Sequence, residues 1–294
     1  TFPLVHRVPE EENLAIAENG QRPVSIRQLL PRLVSEELQL YFSRVTIAVE
    51  RGGSTASTRQ QQDAALASLA RDVGLQELVP FFCRYISSQI YQHMNNVEHC
   101  RTLIRLTRSL LLNPHLHLEL QLHQLLPALI TCVVAKSLSS RPMDNHWALR
   151  FEAAQVLLLA CDRFGQEYLT LQARVLKTLC EATAADKPLP TMFGGIVGVT
   201  LFGPKAVDAF LLPLVIPYFT KWQHQLENTR NLEQRFALQE CQQAIFHALG
   251  VFLQRVSPKE QAMRIHHDEL EDAFGDALVM LESNPSNNYA MCIV

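Results

Sequence analysis

The sequence predicts an all-α fold, an α-solenoid of about five stacked antiparallel helix pairs, on three observations. A leucine-leucine-proline step recurs at Leu29-Leu30-Pro31, Leu78-Val79-Pro80, Leu125-Leu126-Pro127 and Leu211-Leu212-Pro213. Its first gaps are 49 and 47 residues, and the third, 86, has a midpoint near Leu169-Thr170-Leu171, where another apolar helix begins. Apolar residues fall at i, i+3, i+4 and i+7 between these steps, as at Leu103, Leu106 and Leu110. Gly74, Asn113, Gly165 and Gly203 sit just beyond apolar runs, where a left-handed cap residue is wanted.

A period of roughly 40–47 residues built from paired helices is the pattern of HEAT and armadillo arrays, which offer a long surface to partners. Residues 1–34, with prolines at 3, 9, 23 and 31 and the acidic run Glu10–Glu12, read as an extended linker. Ser35 followed by Glu36 and Glu37 reads as a helix N-cap with acidic first-turn residues. The repeat domain is then expected over 35–256. Its pairs are expected at 35–50 with 57–73, 75–94 with 96–113, 119–138 with 144–164, 167–184 with 189–203, and 206–227 with 230–256. Breaks fall at Arg51-Gly52-Gly53-Ser54, Ser139-Ser140-Arg141-Pro142 and Lys187-Pro188-Leu189-Pro190. Residues 257–283 follow as an acidic amphipathic helix (Ile265, Leu270, Phe274, Leu278, Leu281), and 284–294 as a disordered tail.

Composition sets the bounds. A hydrophobic fraction of 48% with 19% charged residues indicates a folded, core-rich chain. A net charge of -3 disfavours a general nucleic-acid-coating role and leaves only a local basic stripe, hence weak or indirect DNA contact. Seven scattered cysteines without a CxxC pair suit buried thiols in a reducing compartment, not disulfides or a zinc site. No apolar run approaches the ~20 residues that span a bilayer, and no signal-peptide core opens the chain. The chain begins at Thr1 rather than Met, as expected of part of a longer protein from an intracellular setting.

Chemistry finds little support. His115, His117 and His123, and His266-His267-Asp268-Glu269, lack the i, i+4 ligand pairing of a helix-borne metal site. Gly194, Gly195 and Gly198 are spaced wrongly for a phosphate loop and instead suit close helix packing. No Ser-His-Asp, Cys-His or paired-carboxylate set with a supporting motif occurs, so a non-catalytic chain without cofactor, metal or small-molecule substrate is expected. Arg101, Arg105 and Arg108 form one basic stripe at i, i+4, i+7, read either as a solvated face or as a contact for phosphate or an acidic segment. Trp147, one turn into a helix capped by Asp144 or Asn145, reads as repeat core or as an anchor at the joint between repeats. Arg150 with Ala153-Ala154 has the Arg-x-x-Ala-Ala cadence of a second HEAT helix.

Several stretches resemble the C-terminal HEAT-repeat domain of the TBP-associated factor six family, a subunit type of TFIID and SAGA. Val34-Ser35-Glu36-Glu37-Leu38-Gln39-Leu40-Tyr41-Phe42 resembles that family's LSxELQLYF opening. Asn113-Pro114-His115-Leu116 with His123-Gln124-Leu125-Leu126-Pro127 is similar to its NPxL…HxLxP step. Asp144-Asn145-His146-Trp147-Ala148-Leu149-Arg150 matches its DNHWALR run, and Gly194 through Gly203 follows YGxIxGLxxLG loosely, with Phe193 in the tyrosine place. The resemblance covers about residues 1–255; the family's histone fold is absent, and Phe151-Glu152 inverts its usual acidic-then-aromatic order. It implies a nuclear scaffold subunit for RNA polymerase II transcription, whose solenoid bridges the histone-fold core to other TBP-associated factors and TFIID or SAGA subunits. A generic HEAT adaptor outside transcription is the alternative. The contact surface is expected at Asp144, Asn145, His146, Trp147 and Arg150 with Phe193, Gly194 and Gly198, and secondarily at Arg101, Arg105 and Arg108. On that reading Trp147→Ala with Arg150→Ala weakens complex incorporation and spares helix content.

Overall fold

The computed structural model describes residues 34–51, 55–139 and 144–253. The expected linker, acidic helix and tail therefore lie outside the described residues, as do Pro31, Pro142, His266 and His267. Among the described residues there is no strand, and ten long helices follow one another as α1 Glu36–Glu50, α2 Ala56–Leu69, α3 Val79–Gln92, α4 Val97–Leu112, α5 Leu122–Val134, α6 His146–Phe164, α7 Leu171–Ala182, α8 Leu189–Leu201, α10 Leu212–Asn228 and α11 Leu232–Leu253, with the single turn α9 Pro204–Ala206 before α10. No described helix is long and apolar enough to cross a membrane.

The proline step opens the first helix of a repeat. Pro80 and Pro213 occupy the first turns of α3 and α10, where a missing N–H leaves no bond unmade. Pro127 departs from this. It lies inside α5, whose start is set instead by the 3-10 turn Glu119–Gln121. Before Pro213 the chain takes a π-helical turn over Val207–Leu211, closed by the Leu212 N–H on the Val207 carbonyl. Side-chain oxygens cap four further starts: Ser35 receives the Leu38 N–H, Thr55 that of Thr58, Asn96 that of His99 and Asn145 that of Ala148.

One of the four expected left-handed stops is present, Gly74 (φ 88°, ψ 3°). Gly203 also takes positive φ (95°), but with ψ -179° it is extended rather than left-handed helical. Gly165 has negative φ (-64°), and Asn113 is extended (φ -74°, ψ 113°). Asn113 serves by its side chain instead. Fully buried, it donates to the Leu69 and Asp72 carbonyls at 2.8 and 2.9 Å and accepts the His115 N–H at 2.9 Å, tying the end of α4 to the end of α2 one repeat earlier.

Helices α2, α4, α6, α8 and α11 stack side by side as one layer. In the other layer Phe42 of α1 meets Phe82 of α3 with ring centres 4.8 Å apart, and α3 packs on α5. The regular alternation then changes. Helix α8 packs on α5, α6, α7 and α11 together, and every residue from Thr191 to Thr200 is buried. A helix apolar all round can only be interior. Its glycines permit this: a Cβ on Gly194 would lie 2.0 Å from the Val133 carbonyl oxygen of α5, and one on Gly198 2.7 Å from the Leu179 side chain of α7.

Candidate functional site

The start of α6 is a joint between repeats, with the cap residue Asn145 exposed and Trp147 turned inward. Trp147 (6% exposed) meets Phe193 of α8 edge-on at 4.9 Å and Phe236 of α11 at 6.4 Å, and so bridges successive repeats. Arg150 is fully buried and reaches back to the end of α5, donating to the Val133 and Ala135 carbonyls at 2.7 Å each. Those carbonyls are the unpaired, negative end of a helix, which a guanidinium fork both bonds and neutralises. Burial nevertheless pulls the Arg150 pKa down to about 10, with the nearby Cys132 and Cys241 acting in the opposite sense. The Arg150 Nε–H also points to His146 Nδ1 at 3.4 Å. Burial first, and the Arg150 charge second, lower the His146 pKa to about 4, which keeps that ring neutral.

Asp144, Asn145, His146, Trp147, Arg150, Phe193 and Gly194 are thus brought together, with Gly194 pressed on the same Val133 carbonyl that Arg150 holds. Asn145 caps α6 and Asp144 accepts a hydrogen bond from Ser139 at 2.5 Å. Gly198 lies apart, against α7. The expectation of direct partner contact at Trp147, Arg150, Phe193, Gly194 and Gly198 is corrected here, because none of them presents a side chain to solvent. Their apolar and hydrogen-bonding capacity is spent inside the array.

Arg101, Arg105 and Arg108 behave differently. All three line a solvent-open groove of about 760 Å³ between α4 and α6, floored by Ile104, Val156 and Leu159 and closed at one end by Leu201 of α8. Arg101 pairs with Glu98 at 2.8 Å and Glu152 at 3.1 Å, and Arg105 pairs with Asp63 of α2 at 2.5 Å. Glu98 and Asp63 are largely exposed, so these pairs are weak and exchangeable. Burial raises the Glu152 pKa, opposed by the charges of Arg101 and then Arg105. Among the described residues Arg108 is exposed and has no ion-pair partner. His115, His117 and His123 are all at the surface, away from this groove.

Sequence reasoning missed two features. Because α8 takes the place beside α5, α7 stands off from α5 and leaves a second groove, about 710 Å³, lined by Leu122, Leu126, Ile130, Tyr168 and Val175. Of its lining, Tyr168 is an exposed large apolar residue. The other is Arg163, which from the last turn of α6 donates to the Leu111, Asn113 and Leu116 carbonyls and closes α4 as Arg150 closes α5.

Residues 30–216 match the family described as the TAF6 C-terminal HEAT repeat domain. The chain is 34% identical over 251 residues to the Arabidopsis thaliana transcription initiation factor TFIID subunit 6, covering 84% of this chain and 45% of that protein. It is 35% identical over 242 residues to the Schizosaccharomyces pombe SAGA complex/transcription factor TFIID complex subunit Taf6, covering 82% of this chain and 52% of that protein. The chain therefore spans about half the length of these relatives. Among solved structures, the TAF6 C-terminal domain from Antonospora locustae superposes with a TM-score of 0.53 at 26% identity, over 71% of this chain and 97% of that one. This chain belongs to the TAF6 C-terminal HEAT repeat domain family.

Proposed function

We propose that this chain is the HEAT-repeat part of a non-catalytic scaffold subunit of a nuclear TFIID- or SAGA-type transcription complex, joining a histone-fold core to other subunits. The named relatives are TFIID and SAGA subunits, and the array has the physical form the task needs. Stacked hairpins pass a continuous face from repeat to repeat, and such a face holds extended segments of other chains. The observation that carries the reading is the α4/α6 groove, in which three arginines, interspersed with Glu152 and Asp162, stand over an apolar floor on that face. Arginine forks above apolar surface suit an acidic segment with apolar anchors. The buried joint of Trp147 and Arg150 with Phe193 and Gly194, capped by Asn145 beside the half-buried Asp144 and His146, sets the angle between repeats and so positions the groove, while Gly198 seats α8 on α7.

The test is affinity purification of the full-length protein carrying Arg105→Glu and Arg108→Glu. Both side chains are exposed, so the thermal melt should stay in place while recovery of TFIID and SAGA subunits falls about tenfold. Undiminished recovery refutes the groove as the contact. Loss of DNA binding in a gel shift, with subunit recovery intact, would assign the arginines to nucleic acid instead, a contact confined to low salt.

A further inference from the structure

We propose that His93 and His99, on either side of the turn between α3 and α4, form a binding site for a divalent transition-metal ion such as zinc, which clasps the two helices together. The site does not depend on the scaffold reading.

The backbone fixes both residues. His93 ends α3, with its N–H on the Gln89 carbonyl at 2.9 Å. The chain then turns back at once. The Asn96 N–H returns to the His93 carbonyl at 2.9 Å, and the buried Cys100 thiol donates to the same carbonyl at 3.3 Å. Asn96 caps α4 by accepting the His99 N–H at 3.1 Å. This closed turn brings the two imidazole rings to 5.0 Å between centres, at 67°. That separation suits two ligands on one ion. An ion ~2.1 Å from a nitrogen of each ring stands ~3 Å from each ring centre, so a tetrahedral angle sets the rings ~5 Å apart.

One residue, Gln89, orients both rings. Its backbone carbonyl, which can only accept, faces His93 Nδ1 at 3.3 Å, so the proton sits there and the Nε2 lone pair is left for an ion. Its side-chain Oε1 faces His99 Nε2 at 3.2 Å, which places the proton on Nε2 and leaves the Nδ1 lone pair. A ring that gives its N–H to an oxygen and offers its other nitrogen is the arrangement of metal-bound histidine.

The electrostatics agree. Burial first, and the neighbouring His93 second, lower the His99 pKa, against the charge of Glu50 at the end of α1. The ring is therefore unprotonated near neutrality, the form a metal needs. Glu50, which accepts the Tyr85 hydroxyl at 3.3 Å, supplies negative charge beside the pair. Among the described residues no three histidine, cysteine or carboxylate groups converge, so the protein gives two ligands and solvent completes the shell. His93 is exposed and His99 half-buried, which lets an ion in. Two imidazoles favour zinc, copper or nickel over calcium or magnesium. The pair lies six residues apart across a turn, outside the i, i+4 spacing by which sequence reveals a helix-borne site.

The experiment titrates Zn2+ into the whole chain, free of any added histidine tag, at pH 7.5 by isothermal titration calorimetry. One ion per chain should bind, with a rise in melting temperature on saturation that EDTA reverses. His93→Ala and His99→Ala should each weaken this binding at least tenfold, with metal-free circular dichroism unchanged. The surface pair His115→Ala/His117→Ala should leave it within twofold. Absence of binding, retention within twofold in His93→Ala, or an equal loss in the surface control overturns the proposal. Should His99→Ala fail to fold, His93→Ala decides, because its side chain is exposed.

Discussion

Gly194→Ala tests the central claim about how this array is packed. The added methyl would sit 2.0 Å from the Val133 carbonyl oxygen and 2.9 Å from its carbon. These are backbone atoms, so α8 must back away from α5 by more than an ångström. Overpacking of this kind costs about 1–3 kcal/mol, and backbone against backbone belongs at the upper end. The Val133 carbonyl also holds Arg150 Nη1 at 2.7 Å, and loosening that charged bond adds about 1 kcal/mol. Alanine returns about 1 kcal/mol of helix propensity, leaving a net loss of roughly 3 kcal/mol. Urea unfolding followed by circular dichroism at 222 nm should show a midpoint about 1 M lower, for a slope of ~3 kcal/mol per molar. Gly198→Ala is the control, since its nearest neighbour is the end of the Leu179 side chain, which can rotate. A Gly194→Ala midpoint equal to the parent's, or a larger loss for Gly198→Ala, would refute the argument that α5 and α8 touch through bare backbone.

Trp147→Ala, with Arg150 retained, should lose about 3–5 kcal/mol of stability and its share of the near-ultraviolet dichroism, because it empties a three-helix joint. The pair Trp147→Ala/Arg150→Ala therefore reports on folding rather than on contact, contrary to the sequence-based expectation. Asn113→Ala orphans the Leu69 and Asp72 carbonyls and should cost about 2 kcal/mol in the same urea assay. His146 and His247 both have pKa values lowered to about 4, chiefly by burial, against an ordinary 6.5. The unfolded chain thus binds more protons between those values, so stability should fall as pH drops from about 6.5 to 4, and His146→Asn should flatten that slope.

The helices were legible because their signals are local. Proline at a first turn and a serine, threonine or asparagine cap each act within four residues, and Pro80, Pro213, Ser35 and Asn145 are found in those places. Ends were less legible: α2 stops at Leu69 rather than 73, and α7 begins at Leu171 rather than 167. Here a turn continues the apolar pattern after the helix has ended. The site was legible only in part. The spacing of Arg101, Arg105 and Arg108 implies one face, and one groove holds all three. Arg150 and Arg163 bond carbonyls of other helices, and a carbonyl acceptor has no residue type to read. The same blindness hid the burial of Trp147, whose neighbours come from 46 and 89 residues further along the chain. The groove between α5 and α7 follows from the placement of α8, which no periodicity encodes.

That placement has a mechanical consequence. In a plain array each hairpin leans on the next, and a tug at one end is absorbed as a small bend at every junction. Helix α8 is instead wedged like a keystone among α5, α6, α7 and α11, with ten successive residues sealed from water. The later half of the chain must then yield as one block, while α1 and α2 can peel away first. Force applied to the final hairpin is delivered undiminished to the third.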